Sequence, residues 1–197
     1  MSFTTLITAD QLRAAGTGPS GPVVIEASFD LADVDAGEAA WRAGHLPGSH
    51  YAHLDRDLSG AKTGQNGRHP LPERRAFAQT LARFGVTPKR QVVALDRQGG
   101  VYAARLWWML RWLGHAEVAV LDGSLAAWSA AGGKLTTEAT PAAAETPPYP
   151  ERHPLVKTIG ADALLKALDD NALIDARAGE RFRGEVEPLD KIGRAHV

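Results

Sequence analysis

Cysteine is absent from all 197 residues of the chain. Its absence excludes a disulfide scaffold, a thiolate metal site and a cysteine nucleophile within this sequence. An excess of charge of one sign is also lacking, since 22 Lys and Arg stand against 23 Asp and Glu, for a formal net charge of −1. This balance gives no basic footprint for DNA or RNA, so we expect no nucleic-acid partner.

Long apolar runs are lacking as well. No run approaches the ~18 apolar residues of a membrane-spanning helix, and the N-terminus has no basic start followed by an apolar core. We therefore expect no membrane partner and a cytoplasmic location.

Metal and nucleotide signatures are weak in this sequence. The seven histidines do not fall at metal-ligand spacing, and His45, His50 and His53 are separated by a turn and a strand, which favours loop or surface roles over a zinc site. The pair Gly99 and Gly100 precedes a helix, but it lacks the Lys-Ser/Thr of a P-loop and the G-x-G-x-x-G spacing. We expect no metal and no cofactor.

The elements that are present alternate between strands and helices. Largely apolar runs at 22–27, 91–95 and 117–121 predict buried parallel strands, and a loop expected at 41–50 leads into a short strand at 51–54. This order predicts an α/β fold, with a parallel sheet of roughly five strands, helices on both faces and 91–95 as the central strand.

Helix boundaries follow from local signals. Thr8 and Gln11 have the spacing of a capping box, which predicts a short helix after Thr8. Pro72 is expected in the first turn of the next helix, which Gly85 ends. Apolar patterns at 103–113 and 124–131 predict two further helices.

The chain also contains an internal repeat. Residues 8–12 and 23–27 resemble residues 160–165 and 173–177, with Asp10 matching Asp162 at an offset of 152 and Ala27 matching Ala176 at an offset of 149. The first copy continues for roughly a hundred residues more, whereas the second stops at Val197. We therefore expect a tandem repeat whose second copy is incomplete and supplies only one helix, at about 160–168, and one strand, at 172–175.

Four segments are expected on this basis. Residues 1–135 form a first domain, 136–155 a Pro- and Ala-rich extended linker, and 156–190 the start of a truncated second domain. Residues 191–197 match the translation of a common sequencing-adapter read and are expected to be a non-native tail.

Six motifs, in this order along the chain, resemble the tandem-domain rhodanese-type sulfurtransferases. They are Gly-His-Leu-Pro-Gly at 44–48, Gly-Arg-His-Pro-Leu-Pro at 67–72, the strand, loop and helix at 91–115, residues 120–128, Asp-Ala-Arg at 175–177 and residues 180–188. The resemblance covers nearly all of residues 1–190 and implies a rhodanese-like fold in both copies.

The resemblance also implies an activity. Members of this family move a sulfane sulfur from thiosulfate or 3-mercaptopyruvate, both small anionic donors, to a thiol or cyanide acceptor. A cysteine in the second domain carries the sulfur as a persulfide, and its loop would lie beyond Val197. The resemblance thus implies an enzyme by family, whereas the chain as given is expected to be inactive because the persulfide needs a sulfur nucleophile.

Three residues take their candidate roles from this resemblance. Asp96 stands in the first domain where the catalytic cysteine of the second would stand, and we expect it to cap the following helix rather than to catalyse. Arg181 and Arg177 match positions near the substrate anion, which a guanidinium can bind with two parallel hydrogen bonds. In this chain both arginines are expected to be idle, and the alternative is that they are solvated surface residues. A second function stays open, in which the chain is a non-catalytic rhodanese-like module that binds a partner.

Overall fold

The computed structural model describes residues 2–18, 20–141 and 147–186. The described part contains one five-stranded sheet whose paired neighbours all run parallel, in the order β1-β5-β4-β2-β3. The strands are β1 (Leu6–Ile7), β2 (Val23–Glu26), β3 (His50–Tyr51), β4 (Val92–Leu95) and β5 (Val118–Leu121).

Seven α-helices are assigned in the same part of the chain. They are α1 (Ala9–Ala15), α2 (Ala36–Ala43), α3 (Arg74–Arg83), α4 (Val101–Trp112), α5 (Ser124–Ala130), α6 (Ala161–Leu165) and α7 (Gly179–Phe182). The predicted capping box is confirmed at α1, because the Thr8 side chain accepts from the Gln11 N–H while the Gln11 side chain accepts from the Thr8 N–H.

The central strand β4 divides the core between the two faces of the sheet. Val92 and Ala94 pack on one face with residues of α3 and α4. Val93 and Leu95 pack on the opposite face with residues of α1 and α5. Because successive side chains of a strand point to opposite faces, a uniformly apolar strand is stable only when both faces are covered. The predicted α/β fold, with five parallel strands, helices on both faces and β4 at the centre, is confirmed.

Several local predictions need correction. Strand β3 is His50–Tyr51 rather than 51–54, and the helix expected to include Pro72 begins only at Arg74, with Glu73 at its N-cap position. Residues 41–43 were expected in a loop but belong to the last turn of α2. Strand β1 and helix α2 were not predicted, because two residues are too few for a periodic pattern and Trp41 is the only large apolar residue in the sequence of α2.

The first compact unit extends past its expected end. Contacts divide the chain into residues 1–157 and 158–197, here called the first and second units. Within the expected linker, Thr136 pairs with His45, the ring of Tyr149 is buried in the core, and the Leu155 N–H donates to the Arg111 carbonyl. These contacts attach the described linker residues to the first unit.

Up to residue 186, the second unit contains α6, a 3₁₀ turn at Leu168–Asp170 and α7. The predicted helix over 160–168 is thus shorter than expected, and the predicted strand over 172–175 is wrong, since no strand is assigned there and Ile174 is 91% exposed. A parallel strand needs neighbours for its N–H and C=O groups, and no described strand pairs with these residues. The expected non-native tail at 191–197 lies outside the described residues.

No helix in the described ranges is both long and apolar enough to cross a membrane.

Candidate functional site at the end of the central strand

The loop between β4 and α4 lies at the carboxyl edge of the parallel sheet. Strand β4 ends at Leu95, and α4 begins at Val101 after Gly100, whose φ of 98° lies in the left-handed region. Gly99 also has a positive φ, of 77°, and residues that carry a Cβ rarely adopt this backbone conformation. The loop therefore turns its backbone N–H groups toward its own first residue, Asp96, at the N-terminus of a twelve-residue helix.

The Asp96 carboxylate accepts four backbone hydrogen bonds at this point. One oxygen accepts from the N–H groups of Gln98 and Gly100 at 2.9 and 2.8 Å. The other accepts from Tyr102 and Ala103 at 2.7 and 2.8 Å, which are the second and third residues of α4. The expected helix cap is thus present. Asp96 also fills the cluster of N–H donors that could otherwise bind an external anion.

A buried ion pair connects the end of β2 to the start of this loop. The Glu26 carboxylate is fully buried and accepts from Arg97 Nε at 2.6 Å and from the Ser28 hydroxyl at 2.7 Å. The Ser28 oxygen in turn accepts from the Arg97 backbone N–H, and the Arg97 guanidinium donates to the Gly44 carbonyl. This network joins the end of β2 to the loop and fixes the direction of its first peptide groups. Sequence reasoning missed it, although a carboxylate at the end of an otherwise apolar strand was a signal.

A cavity of about 660 Å³ opens beside the loop. Asp96, Arg97 and Gly100 line one side, and the apolar side chains of Leu6 and Leu125 contribute to the other. Chemically the site offers N–H donors that are already bonded to a carboxylate. It offers no nucleophilic sulfur, since the chain has no cysteine.

The two predicted arginines lie in the second unit. The guanidinium of Arg177 pairs with the carboxylate of Asp175 through Nε at 2.9 Å and Nη2 at 2.6 Å. Hydrogen bonds from Arg177, with a smaller contribution from the charge of Arg181, lower the pKa of Asp175 to about 2. The described contacts therefore bring Arg177 and Arg181 toward a carboxylate of the same unit. Asp96 belongs to the other unit.

The histidines of the first unit serve separate local roles. His45 stacks on Trp41 with ring centroids 4.0 Å apart, and its two nitrogens contact the carbonyls of Trp41 and Glu138. His53 Nδ1 accepts from the backbone N–H groups of Asp55 and Arg56. Among the described residues, no three His, Cys, Asp or Glu side chains come together as a metal site.

Comparison with known proteins gives a consistent family. The rhodanese-like domain model matches residues 23–131, more than half of the chain. A Pseudomonas aeruginosa protein named "Probable 3-mercaptopyruvate sulfurtransferase" is 42% identical over 195 residues, covering 98% of this chain and 68% of that protein. Thiosulfate sulfurtransferase from Bos taurus is 28% identical, covering 94% of this chain and 62% of that protein.

Solved structures agree with the sequence comparison. The crystal structure of Escherichia coli SseA, described as having the rhodanese fold of 3-mercaptopyruvate sulfotransferases, matches with a TM-score of 0.74 at 26% identity. The match covers 96% of this chain and 71% of that one. The chain spans about two thirds of the length of these curated relatives. From the domain match, these similarities and the parallel sheet with its strand, loop and helix at 92–112, we conclude that the chain belongs to the rhodanese-like domain family.

Proposed function

We propose that the protein to which this sequence belongs is a sulfurtransferase, which moves a sulfane sulfur from thiosulfate or 3-mercaptopyruvate to a thiol or to cyanide. Family membership and the names of the relatives support the reaction class. Residues 1–157 would then form a non-catalytic rhodanese-like domain. The observation that carries this assignment is the Asp96 carboxylate, which accepts four backbone N–H groups in the loop after the central strand.

The chemistry of Asp96 explains why this loop would not transfer sulfur. A persulfide carrier needs a thiolate, and a carboxylate cannot take its place. An anionic donor would also have to displace a carboxylate that is only 1% exposed and fully hydrogen-bonded, against repulsion between like charges. On this proposal, the N–H groups of the loop converge on one point, and the Asp96 side chain occupies the place that an external anion would take.

We further propose that residues 158–190 begin a second, incomplete rhodanese-like copy. In the complete protein, Arg181 and Arg177 would bind the anionic end of the donor, because a guanidinium matches an oxyanion with paired N–H donors. In the chain as given, neither arginine would bind a sulfur donor. The persulfide-bearing cysteine would lie in the part of the second copy that follows.

The first test is an activity assay on purified 1–197 protein with thiosulfate and cyanide, and separately with 3-mercaptopyruvate and a thiol. No turnover above a buffer blank is expected, because the chain has no cysteine. Turnover of either donor by this chain would overturn the proposal. The matched positive control is the complete open reading frame, recovered by sequencing the locus past residue 190. Its product should be active, and replacing its predicted loop cysteine with serine should abolish the activity.

A second variant separates the nucleophile from the substrate site. Asp96→Cys would place a thiol among the same N–H donors, which favour a thiolate. It is expected to react with a thiol reagent but not to reach the turnover of the complete protein, because the proposed substrate arginines belong to the second unit. Full turnover by the Asp96→Cys chain would show that the first unit already contains a complete donor site.

The alternative is a non-catalytic module that binds a partner, and the Asp96 loop, occupied by its own carboxylate, agrees with it equally well. A natural stop codon near residue 190, with no cysteine-bearing loop downstream, would select this alternative. A downstream Gly-His-Ile/Leu-Pro-Gly motif followed by a cysteine loop would select the enzyme.

A further inference from the structure

A second cavity, of about 410 Å³, opens beside strand β3 at the edge of the sheet. Its lining comes from α2, from β3 and the loop that follows it, from the end of α3 and from Thr140, and it shares no residue with the cavity beside the Asp96 loop. Its volume falls within the ~300–1,000 Å³ of small-molecule sites. The proposed sulfur transfer makes no use of it.

The walls of this cavity are aromatic. Trp41 and Tyr51 lie with ring centroids 6.2 Å apart, and His50 and Phe84 lie 5.4 Å apart. Flat rings of this kind offer faces and edges against which another planar group can pack. The walls therefore suit a planar ligand better than a branched aliphatic one.

His50 is the polar group of these walls that has hydrogen-bonding capacity to spare. The Tyr51 hydroxyl donates to the Ser28 carbonyl at 2.7 Å, and Trp41 Nε1 donates to the Ser49 hydroxyl at 3.2 Å. Within the described ranges, no residue forms a hydrogen bond with the His50 ring, which packs against the ring of Phe84. Burial, with a smaller effect of Arg90, lowers the pKa of His50. A neutral imidazole offers one N–H donor and one acceptor.

The carboxylates that face the cavity are already neutralised. Glu38 pairs with Arg42 at 2.6 Å and also with Arg56, and these bonds hold the pKa of Glu38 below its usual value. Asp57 pairs with Arg83 and accepts the His53 backbone N–H. Neither carboxylate therefore needs a cation from a ligand.

Two arginines and two carboxylates line the cavity, so the formal charges of the lining balance. The side chains of Arg56 and Arg83 are 58% and 63% exposed, so N–H groups of both guanidinium groups face the solvent at the rim. Because both carboxylates already accept from arginines, these guanidinium N–H groups suit an anionic ligand better than a cation.

We propose that this cavity binds a small aromatic carboxylate, with the ring against the aromatic walls and the carboxylate toward Arg56, Arg83 and His50. The inference does not rest on the proposed sulfur transfer, because the two cavities are separate. Sulfur-transfer activity and binding at this site can accordingly fail or hold independently.

Benzoate is the probe, titrated into the full chain by ligand-observed NMR, with neutral benzamide and ring-free acetate as comparisons. A probe of this size in a half-open site is expected to saturate with a Kd on the order of 1 mM. Both comparison compounds should bind at least about tenfold more weakly, since each lacks one of the two recognised features.

Matched variants locate the site. Arg83→Gln and His50→Phe should each weaken benzoate binding by about tenfold, because each removes hydrogen-bond donors at the carboxylate end. Arg75→Gln removes the same charge from an exposed position of α3 and should leave the Kd unchanged. If Arg83→Gln does not fold, Arg56→Gln replaces it as the variant at the rim. Circular dichroism verifies that each variant is folded. Non-saturating benzoate, equal binding of benzamide, or an equal loss in Arg75→Gln would overturn the proposal.

Discussion

Replacing Asp96 with alanine tests whether the loop after β4 depends on its own carboxylate. The substitution leaves four backbone N–H groups without their acceptor, two of them in the first turn of α4. At ~1 kcal/mol per bond the loss is about 4 kcal/mol, and water at the rim will replace part of it. We expect the free energy of unfolding of the first unit to fall by about 3–4 kcal/mol.

Urea unfolding followed by tryptophan fluorescence measures this change, since Trp107, Trp108 and Trp128 lie in or against the core of the first unit. The control is Asp122→Asn, at an exposed residue just after β5, which should change the free energy by less than about 0.5 kcal/mol. Asp96→Asn should retain only part of the stability, because its amide group would face two N–H donors. An Asp96→Ala protein within about 1 kcal/mol of the wild type would refute the reasoning, because water would then satisfy the loop.

Three further outcomes are expected. Burial lowers the pKa of His115, which contacts the Tyr149 hydroxyl at 3.0 Å. The free energy of unfolding should therefore fall as the pH drops below about 6.5, because the unfolded chain binds the proton at a higher pH than the folded one. Urea titrations at several pH values should show a smaller fall in the His115→Gln variant. Gly133→Ala would bring a Cβ into collision with the Trp128 ring and should cost about 1–3 kcal/mol of unfolding free energy. Gly44→Ala, whose Cβ would come no closer than 3.7 Å to Leu135, should change it by less than about 0.5 kcal/mol in the same urea assay. Limited proteolysis should leave a resistant fragment that ends after residue 157, because the described linker residues pack on the first unit; a fragment ending near 135, or equal resistance of the whole chain, would contradict this.

The central part of the fold could be predicted because its signals are local. Strands β2, β4 and β5 are short runs that are apolar apart from Glu26, as is typical of strands buried on both faces of a sheet. The edge strand β1 has two residues, and one of them, Leu6, is 56% exposed, so it carries no pattern. The expected strand at 172–175 failed for a different reason. Its sequence resembles β2, but no described strand accepts its backbone groups.

The candidate site could be predicted only at its first residue. Asp96 directly follows the most apolar strand, so its place at the sheet edge follows from chain order. The Glu26–Arg97 pair joins residues 71 positions apart, and no local spacing encodes it. The cavity around His50 likewise forms from four segments that meet only in the folded unit.

The separation between Glu26 and Arg97 also has a consequence for the order of folding. By the internal repeat, Glu26 corresponds to Asp175, whose arginine partner lies only two residues along the chain. The pair at Asp175 can therefore form in a locally ordered segment, whereas the pair at Glu26 requires loop closure between β2 and β4. Non-local contacts of this kind form slowly. The loop that surrounds Asp96 should consequently reach its final geometry late in folding, together with the centre of the sheet and not with α4 alone.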